Sequence, residues 1–299
     1  MDKINVFLEN RKVFKVLGTK CTEFLNNILS SDLKKLNPHE IIPSALLSPQ
    51  GRILFDILVS VNVSEANGEY SSINIECDKK QLNGLIQKIN MYNLRREIEV
   101  LTTDYNVIVT NEDNNFSNTF LDKRFSELSI KRIYTENKNL KKNNSNIDVY
   151  DFLRFKNCIL EGPTEIEPNI ALPLEINLDL FGGISFDKGC FIGQEVNARI
   201  KWKGLVKKKY VPIRFEYNKQ LPLKLEEIRD KRFLFNNTEI GELISLTRNK
   251  IKNHFYGIAK IKLSQLYSFE EDPTLQCDFL GSKVEIILPS YMIPLPKKM

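Results

Sequence analysis

One octet gathers most of the residue types that can do chemistry: Lys188-Gly189-Cys190-Phe191-Ile192-Gly193-Gln194-Glu195. It sets a thiol beside a lysine, between two glycines, ahead of a segment with helical spacing. Gln194 to Ile200 reads as two helical turns with Val196 and Ile200 on one face. Cys190 then lies near the positive pole of that helix. The pole and the Lys188 charge both favour thiolate over thiol. A thiolate attacks electrophiles or binds a soft metal. The plain alternative is an inert buried cysteine in a tight turn. Gln194 and Glu195 complete the candidate reactive set. Glu195 is read either as a general base or as a helix-end charge serving its own dipole.

Asp56 is the second candidate. It falls mid-strand, on the face opposite Ile53, Phe55, Ile57, Val59, Val61 and Val63. A carboxylate in that place requires solvent, a partner or a ligand. An N–H edge of a pterin-like ring would serve, and so would a salt bridge to Arg52, four residues back on the same face. The third feature is the stretch Arg199 to Tyr210, where Arg199, Lys201, Lys203, Lys207, Lys208 and Lys209 interleave with Trp202 and Tyr210. Such a run can grip phosphate and stack a base. It can equally hold the carboxylate tail of a folate through Arg199, Lys201 and Trp202, or protect the edge of a sheet with lysines. No glycine loop of Walker or dinucleotide type accompanies it.

Bulk properties narrow the setting. A chain of 299 residues with 42% hydrophobic content is long and apolar enough for two cores. Its 43 basic and 38 acidic residues leave a net charge of +5, too mild to demand nucleic acid. Cys21, Cys77, Cys158, Cys190 and Cys277 are scattered, without a Cys-x-x-Cys, which argues against a disulfide framework or zinc ribbon. With His39 and His254 as the only histidines, no stably bound metal is expected. No apolar run reaches the roughly 18–20 residues of a membrane span. Met1 to Arg11 carries Asp2 and Glu9 and reads as neither a secretory signal nor a transit peptide, so the expected location is the cytosol.

The elements that must position these groups follow from periodicity. Val13 to Leu17 reads as a strand ending at Gly18, and Thr19 is expected to cap a helix reaching about Leu33. A long strand opens at Gly51, and an Asn67-Gly68 turn leads into a second strand, Tyr70 to Cys77. Asp78, with Gln81 in the reciprocal position, is expected to cap a helix burying Leu82, Leu85, Ile86 and Ile89. Strands follow near Glu97–Leu101 and Asn106–Thr110, Glu136 to Asn146 reads as an exposed loop, and Ile147 to Cys158 as a helix burying Val149, Phe152 and Leu153. Beyond about Leu205, Tyr210–Phe215, Arg232–Phe235, Glu239–Thr247, Phe255–Ile261 and Lys283–Leu288 read as strands, with Gly241 and Gly257 at bulges or close approaches. The whole is α+β, with domains at 1–204 and 205–299, the second a small β-barrel.

The octet resembles the K-G-C-[FY]-x-G-Q-E motif of the YgfZ family. Its companions do too: Phe24 to Leu33, Ala45-Leu46-Leu47-Ser48-Pro49-Gln50-Gly51-Arg52-Ile53, Glu161-Gly162 with Pro168, Leu172 to Asn177, Gly183-Ile184-Ser185-Phe186, and Ala198-Arg199 with Gly204. The similarity spans roughly residues 13–210. It implies a fold like the glycine-cleavage T-protein, with subdomains around a central channel that takes tetrahydrofolate and a last subdomain that is a small barrel. It also implies a folate-dependent accessory factor for assembly or repair of [4Fe–4S] proteins, indirectly supporting tRNA modification, rather than an enzyme in its own right. Its partners would be iron–sulfur scaffold or client proteins and folate. By the same resemblance the motif cysteine is Cys190, flanked by Lys188, Gly189, Gly193, Gln194 and Glu195. The T-protein enzymes carry paired acids where this chain has Phe55-Asp56, and they lack the cysteine octet. Two rival readings are a tetrahydrofolate-dependent aminomethyltransferase and a weak tRNA contact through Lys201 to Tyr210.

Overall fold

The computed structural model describes residues 3–62, 70–113, 116–125, 127–137, 147–216, 228, 231–249 and 253–297. They fall into two compact units, the first comprising Met1–Ile147, Glu161–Pro173 and Phe181–Asn197, the second Asp148–Leu160, Leu174–Leu180 and Ala198–Met299. The Asn67-Gly68 turn, Val63, and positions 138–146 of the predicted loop lie outside the described residues.

The first unit is built on nine strands: β1 (Asn5–Leu8), β2 (Arg11–Leu17), β3 (Glu40–Leu47), β4 (Ile53–Ser60), β5 (Ser72–Asp78), β6 (Glu99–Thr102), β7 (Asn106–Thr110), β8 (Thr119–Asp122) and β9 (Lys131–Thr135). They form one sheet in the order β1-β7-β9-β8-β3-β4-β5-β2-β6. The pairs are antiparallel except β3 with β8. Helices α1 (Cys21–Ile28) and α2 (Leu82–Tyr92) bury Leu25, Ile28, Leu85 and Ile89 in a cluster with Phe14, Val16, Ile57, Val59, Ile73 and Ile75. These strand positions alternate, as one face of a pleated sheet must. The alternate positions of β2, β4 and β5 carry Arg11, Asp56 and Glu76, so the sheet separates a hydrocarbon side from a charged side.

Both predicted caps are corrected. α1 starts at Cys21 with Lys20 at its N-cap and no side-chain bond there, so Thr19 does not cap it, and it stops at Ile28 rather than near Leu33. Leu29 has already turned extended and bridges Leu46. α2 likewise begins without a side-chain cap; Asp78 instead accepts from the Lys80 amide at 2.8 Å, tightening the turn before the helix.

In the second unit, α3 (Ile147–Lys156) buries Tyr150, Leu153, Arg154 and Phe155. Val149, expected inside, is exposed. α4 (Gln194–Trp202) starts in the first unit's last segment and ends in the second unit. A closed barrel follows: β10 (Lys208–Glu216), β11 (Arg232–Phe235), β12 (Thr238–Asn249), β13 (His254–Lys262), β14 (Gln276–Phe279) and β15 (Ser282–Ile286), in ring order β10-β13-β12-β11-β14-β15. Val211, Ile213, Phe233, Leu243, Ile261 and Phe279 fill it, and helix α5 (Leu263–Glu271), which the sequence reading lacked, adds Leu266 and Phe269. β10 pairs with β13 along its whole length and with β15 at Ile213 and Arg214. Lys209 is buried and donates to the Leu174 carbonyl at 2.8 Å.

Gly241 and Gly257 sit at close approaches, as expected. A β-carbon on Gly241 would stand 2.2 Å from the Lys260 carbonyl oxygen, and one on Gly257 2.4 Å from that of Ser245. Backbone cannot yield that far cheaply. Gly241→Ala should therefore destabilise the protein by roughly 1–3 kcal/mol, read as a lower denaturation midpoint.

Candidate functional site

The octet begins with a lysine whose task is structural. Lys188 Nζ donates to the carbonyls of Asn26 at 2.8 Å, Leu29 at 2.5 Å and Ser31 at 2.6 Å. These carbonyls lie at and just beyond the C-terminal end of α1, which has no basic residue in its last turn. A cation there meets both the orphan carbonyls and the negative end of the helix dipole. The same ammonium lies 4.6 Å from the centre of the buried Phe191 ring. Burial pulls the Lys188 pKa down to about 7, with Asp32 opposing. The Lys188 ammonium that the sequence sets beside the thiol is thus engaged on α1.

Between Lys188 and Phe191 the chain turns outward. Cys190 is exposed, whereas Cys21, Cys77, Cys158 and Cys277 are buried. Burial pushes the Cys77 and Cys277 thiols up to about 12. Gly189 has nothing within 4 Å of where a β-carbon would stand, so the turn is not tight there.

Gly193 is different. Its φ is +79°, and a β-carbon would lie 2.6 Å from the Ser48 carbonyl oxygen and 2.9 Å from Gly51 Cα. Gly51 has φ +76°, and its own β-carbon would meet Asn197 Nδ2 at 2.6 Å. Asn197 is fully buried and donates to Gly51 O at 2.8 Å and Gly193 O at 3.0 Å. The Ser48–Arg52 turn and the cysteine octet, far apart in sequence, are clasped together by these contacts. Gln194 is half-buried and Glu195 exposed in the first turn of α4, where a carboxylate favours the helix dipole.

Asp56 lies on the charged side of the sheet. Around it runs a chain of buried ion pairs: Arg124 with Asp122 (2.6 Å) and Glu161 (2.7 Å), Arg132 with Asp122 (3.0 Å), Glu161 and Glu76 (2.5 Å), and Arg11 with Glu76 (2.7 Å). Tyr134 donates its hydroxyl to Glu76 at 2.9 Å. Asp56 Oδ2 accepts from the Gly162 amide at 2.9 Å and lies 3.9 Å from Arg11 Nη1. Burial raises the Asp56 pKa, opposed by Arg11 and the Gly162 amide. The expected Arg52–Asp56 bridge is absent. Arg52 is exposed and gives its guanidinium to the Ile170 carbonyl. Arg11 was missed; its one signal is a charged residue opening a strand whose Phe14 and Val16 are apolar.

Arg199, Lys201 and Trp202 belong to the second unit and are exposed, with Lys201 Nζ 5.5 Å from the Trp202 ring centre. A cavity of about 350 Å³ in the first unit is lined by Leu121, Asp122, Phe125 and Leu128 among others, and by none of the predicted site residues. Among the described residues no three His, Cys, Asp or Glu side chains are grouped to hold a metal ion, and no helix is long and apolar enough to cross a membrane.

No family model matches the chain. Curated proteins do. The chain is 27% identical over 320 residues to the iron-sulfur cluster assembly factor IBA57 homolog, mitochondrial, of Mycosarcoma maydis, covering 92% of this chain and 78% of that protein. It is 24% identical over 254 residues to the Dictyostelium discoideum protein of the same name, covering 71% and 62%, and 28% identical over 234 residues to the human iron-sulfur cluster assembly factor IBA57, mitochondrial, covering 70% and 65%. The match thus spans less than two thirds of the latter two. These relatives are named as assembly factors. The fold is that of an aminomethyltransferase: the glycine cleavage system aminomethyltransferase T of Bartonella henselae superimposes with a TM-score of 0.72 at 12% identity, over 97% of this chain and 86% of that one. The mixed α+β class and the terminal barrel stand as expected. The cytosolic expectation is corrected by the same relatives, which are named as mitochondrial. It rested on the composition of Met1 to Arg11.

Two predictions follow the geometry. Lys188→Met strips three carbonyls of their donor and should cost roughly 1–3 kcal/mol, seen in the unfolding midpoint. Asp56 has a folded pKa above its ordinary 3.8. Between those two values the native state binds its proton more tightly than the unfolded chain does, so this group's contribution to stability declines as pH rises through the window. The melting temperature of Asp56→Asn, relative to wild type, should therefore be higher at about pH 8 than at about pH 4.

Proposed function

We propose that the protein is an accessory factor in the assembly or repair of iron–sulfur proteins, in the YgfZ-related manner, acting in the mitochondrion. The observation that carries this reading is Cys190, the exposed one of five cysteines, held on a turn pinned by Lys188 and by the Gly51–Gly193 clasp. The relatives' names support it. A thiol so presented can lose its proton and ligate an iron of a cluster in transit, with no change of oxidation state. One thiol does not complete the four-ligand set of a cluster, so the remaining ligands come from a scaffold or client protein.

Tetrahydrofolate is the proposed small-molecule partner. Asp56 Oδ1 is a buried oxygen without a hydrogen-bond partner, and it fits an N–H of a reduced pterin. When bound, the folate supplies a ring able to carry one-carbon units. Asp56 holds that ring in place, and Gly162 fixes the carboxylate that does so. Support for tRNA modification follows indirectly, through cluster-dependent enzymes that thiolate tRNA. The exposed Lys201, Lys203, Lys207 and Lys208 lend support to a weak RNA contact as well. The aminomethyltransferase fold favours a second reading, a folate-dependent one-carbon transferase. That activity has no need of Cys190.

Replacing Cys190 by Ser in cells lacking the native gene separates the two. The expected outcome is loss of a [4Fe–4S] enzyme activity and of thiolated tRNA to the level of the deletion strain. Full rescue by the variant would remove Cys190 from the mechanism.

A further inference from the structure

The stretch from Arg199 to Lys208, all within the second unit, joins positive charge to exposed hydrocarbon. Arg199, Lys201, Lys203, Lys207 and Lys208 are exposed, and no acidic residue occurs between Glu195 and Glu216. Other exposed cations pair with carboxylates: Lys20 with Glu97, Lys123 with Glu40, Arg214 with Glu285. Among the described residues Arg199, Lys203, Lys207 and Lys208 have no such partner. Inside this cluster Trp202, the chain's one tryptophan, is 59% exposed and Leu205 is 41% exposed. A lone apolar side chain on a surface is ordinary. A tryptophan and a leucine set among unpaired cations call for a partner that satisfies both.

The backbone holds the cluster in one shape. α4 ends in a Schellman turn at Gly204, where φ is +58°. The Gly204 amide donates to the Lys201 carbonyl at 3.2 Å, and the Leu205 amide to the Ile200 carbonyl at 2.9 Å. Leu205 is thereby folded back beside the last helical turn, the turn that bears Trp202. Arg199 and Lys201 in that turn complement the negative helix end. Lys207 and Lys208 lie beyond it and have no such task.

The residue types select the partner. Stacking on nucleic acid uses several aromatic faces in succession. Here Tyr210 is buried, with Lys260 Nζ 5.7 Å from its ring centre, which leaves Trp202 alone. Protein interfaces are depleted in lysine and enriched in arginine; this cluster has four lysines to one arginine. Lysine point charges around a tryptophan and a leucine match a bilayer surface instead. Tryptophan settles at the headgroup level, leucine enters the acyl boundary, and lysines are drawn to anionic headgroups.

We propose that the end of α4 and the turn after it dock the protein reversibly on an anionic lipid surface, with Trp202 and Leu205 entering the interface and Arg199, Lys201, Lys203, Lys207 and Lys208 facing the headgroups. Neither hydrocarbon nor charge alone would hold it there, since stable peripheral binding takes two signals.

The test uses the full chain, its single tryptophan and four probes: vesicles of phosphatidylcholine mixed with phosphatidylglycerol, vesicles of phosphatidylcholine alone, poly-glutamate and bulk tRNA. Trp202 emission should move to shorter wavelength on the anionic vesicles and stay unmoved with the neutral ones. The cosedimenting fraction should fall as salt rises. Leu205→Ser should weaken partition about fivefold. Lys207→Glu combined with Lys208→Glu should weaken it at least about twentyfold, as each lysine near such a surface contributes about fivefold. Melting curves of both variants, taken alongside, show that they are folded. Binding to anionic vesicles without an emission shift overturns the proposal, as does a partition that neither variant weakens. Binding to poly-glutamate or tRNA with no shift on vesicles reveals a general polyanion contact and also overturns it. No association with either kind of vesicle overturns it too, whatever Cys190 does in cells.

Discussion

Gly193 lies against Ser48 and Gly51 because neither glycine carries a β-carbon, and Asn197 ties both carbonyls from one amide nitrogen. This contact decides where the cysteine turn sits. The turn has few fixed points of its own: a β-carbon on Gly189 would meet nothing within 4 Å, and Cys190 is exposed. Its position is set from below, by the clasp on one side and the Lys188 ammonium on the other. Both anchors reach into the first unit's sheet and α1. A thiol fixed in this way approaches a partner with little conformational freedom left to lose, which is the physical meaning of a presented nucleophile or ligand.

The charged side of the sheet follows a different economy. A chain of ion pairs with almost no water contact adds little net stability compared with hydrocarbon, but any single partner removed leaves a stranded charge. Such an arrangement specifies one geometry strictly. Arg132 joins three carboxylates, from β5, β8 and the segment at Glu161. It thereby fixes the registry of elements that hydrocarbon packing alone would let slide. Arg11 and Asp56, at the end of that chain, inherit a fixed spacing rather than collapsing onto each other.

Much of this fold was legible from alternation and turn chemistry. β2, β4, β7 and the strands β10 to β13 fall within a few residues of where apolar periodicity puts them, and Gly241 and Gly257 mark close backbone approaches. β8 and β9 escaped because Arg132 and Asp122, inward-facing and ion-paired, break the apolar rhythm that announces a strand. β14 has four residues and α5 follows a strand without a break, so neither carries a boundary signal. In the site, the residue types of the octet pointed to Cys190, which the structure places in an exposed turn. The role of Lys188 was hidden because its acceptors are backbone carbonyls 157–162 residues away. Carbonyls have no sequence signature, so a lysine next to a cysteine is read from sequence by its charge alone. Arg11 was hidden for a related reason: its partner Glu76 is 65 residues distant.

The closed ring of β10 to β15 carries a consequence for recognition. A closed ring gives every strand a neighbour on each side, which disfavours strand addition by an extended peptide. Contacts made by that part of the molecule must pass through side chains and connecting segments. In the nine-stranded sheet the outermost strands are β1 and β6, each four residues long. They give an incoming strand only a short stretch on which to zip. Any protein that docks on these two sheets is thus read mainly by surface chemistry and shape, with backbone pairing contributing little.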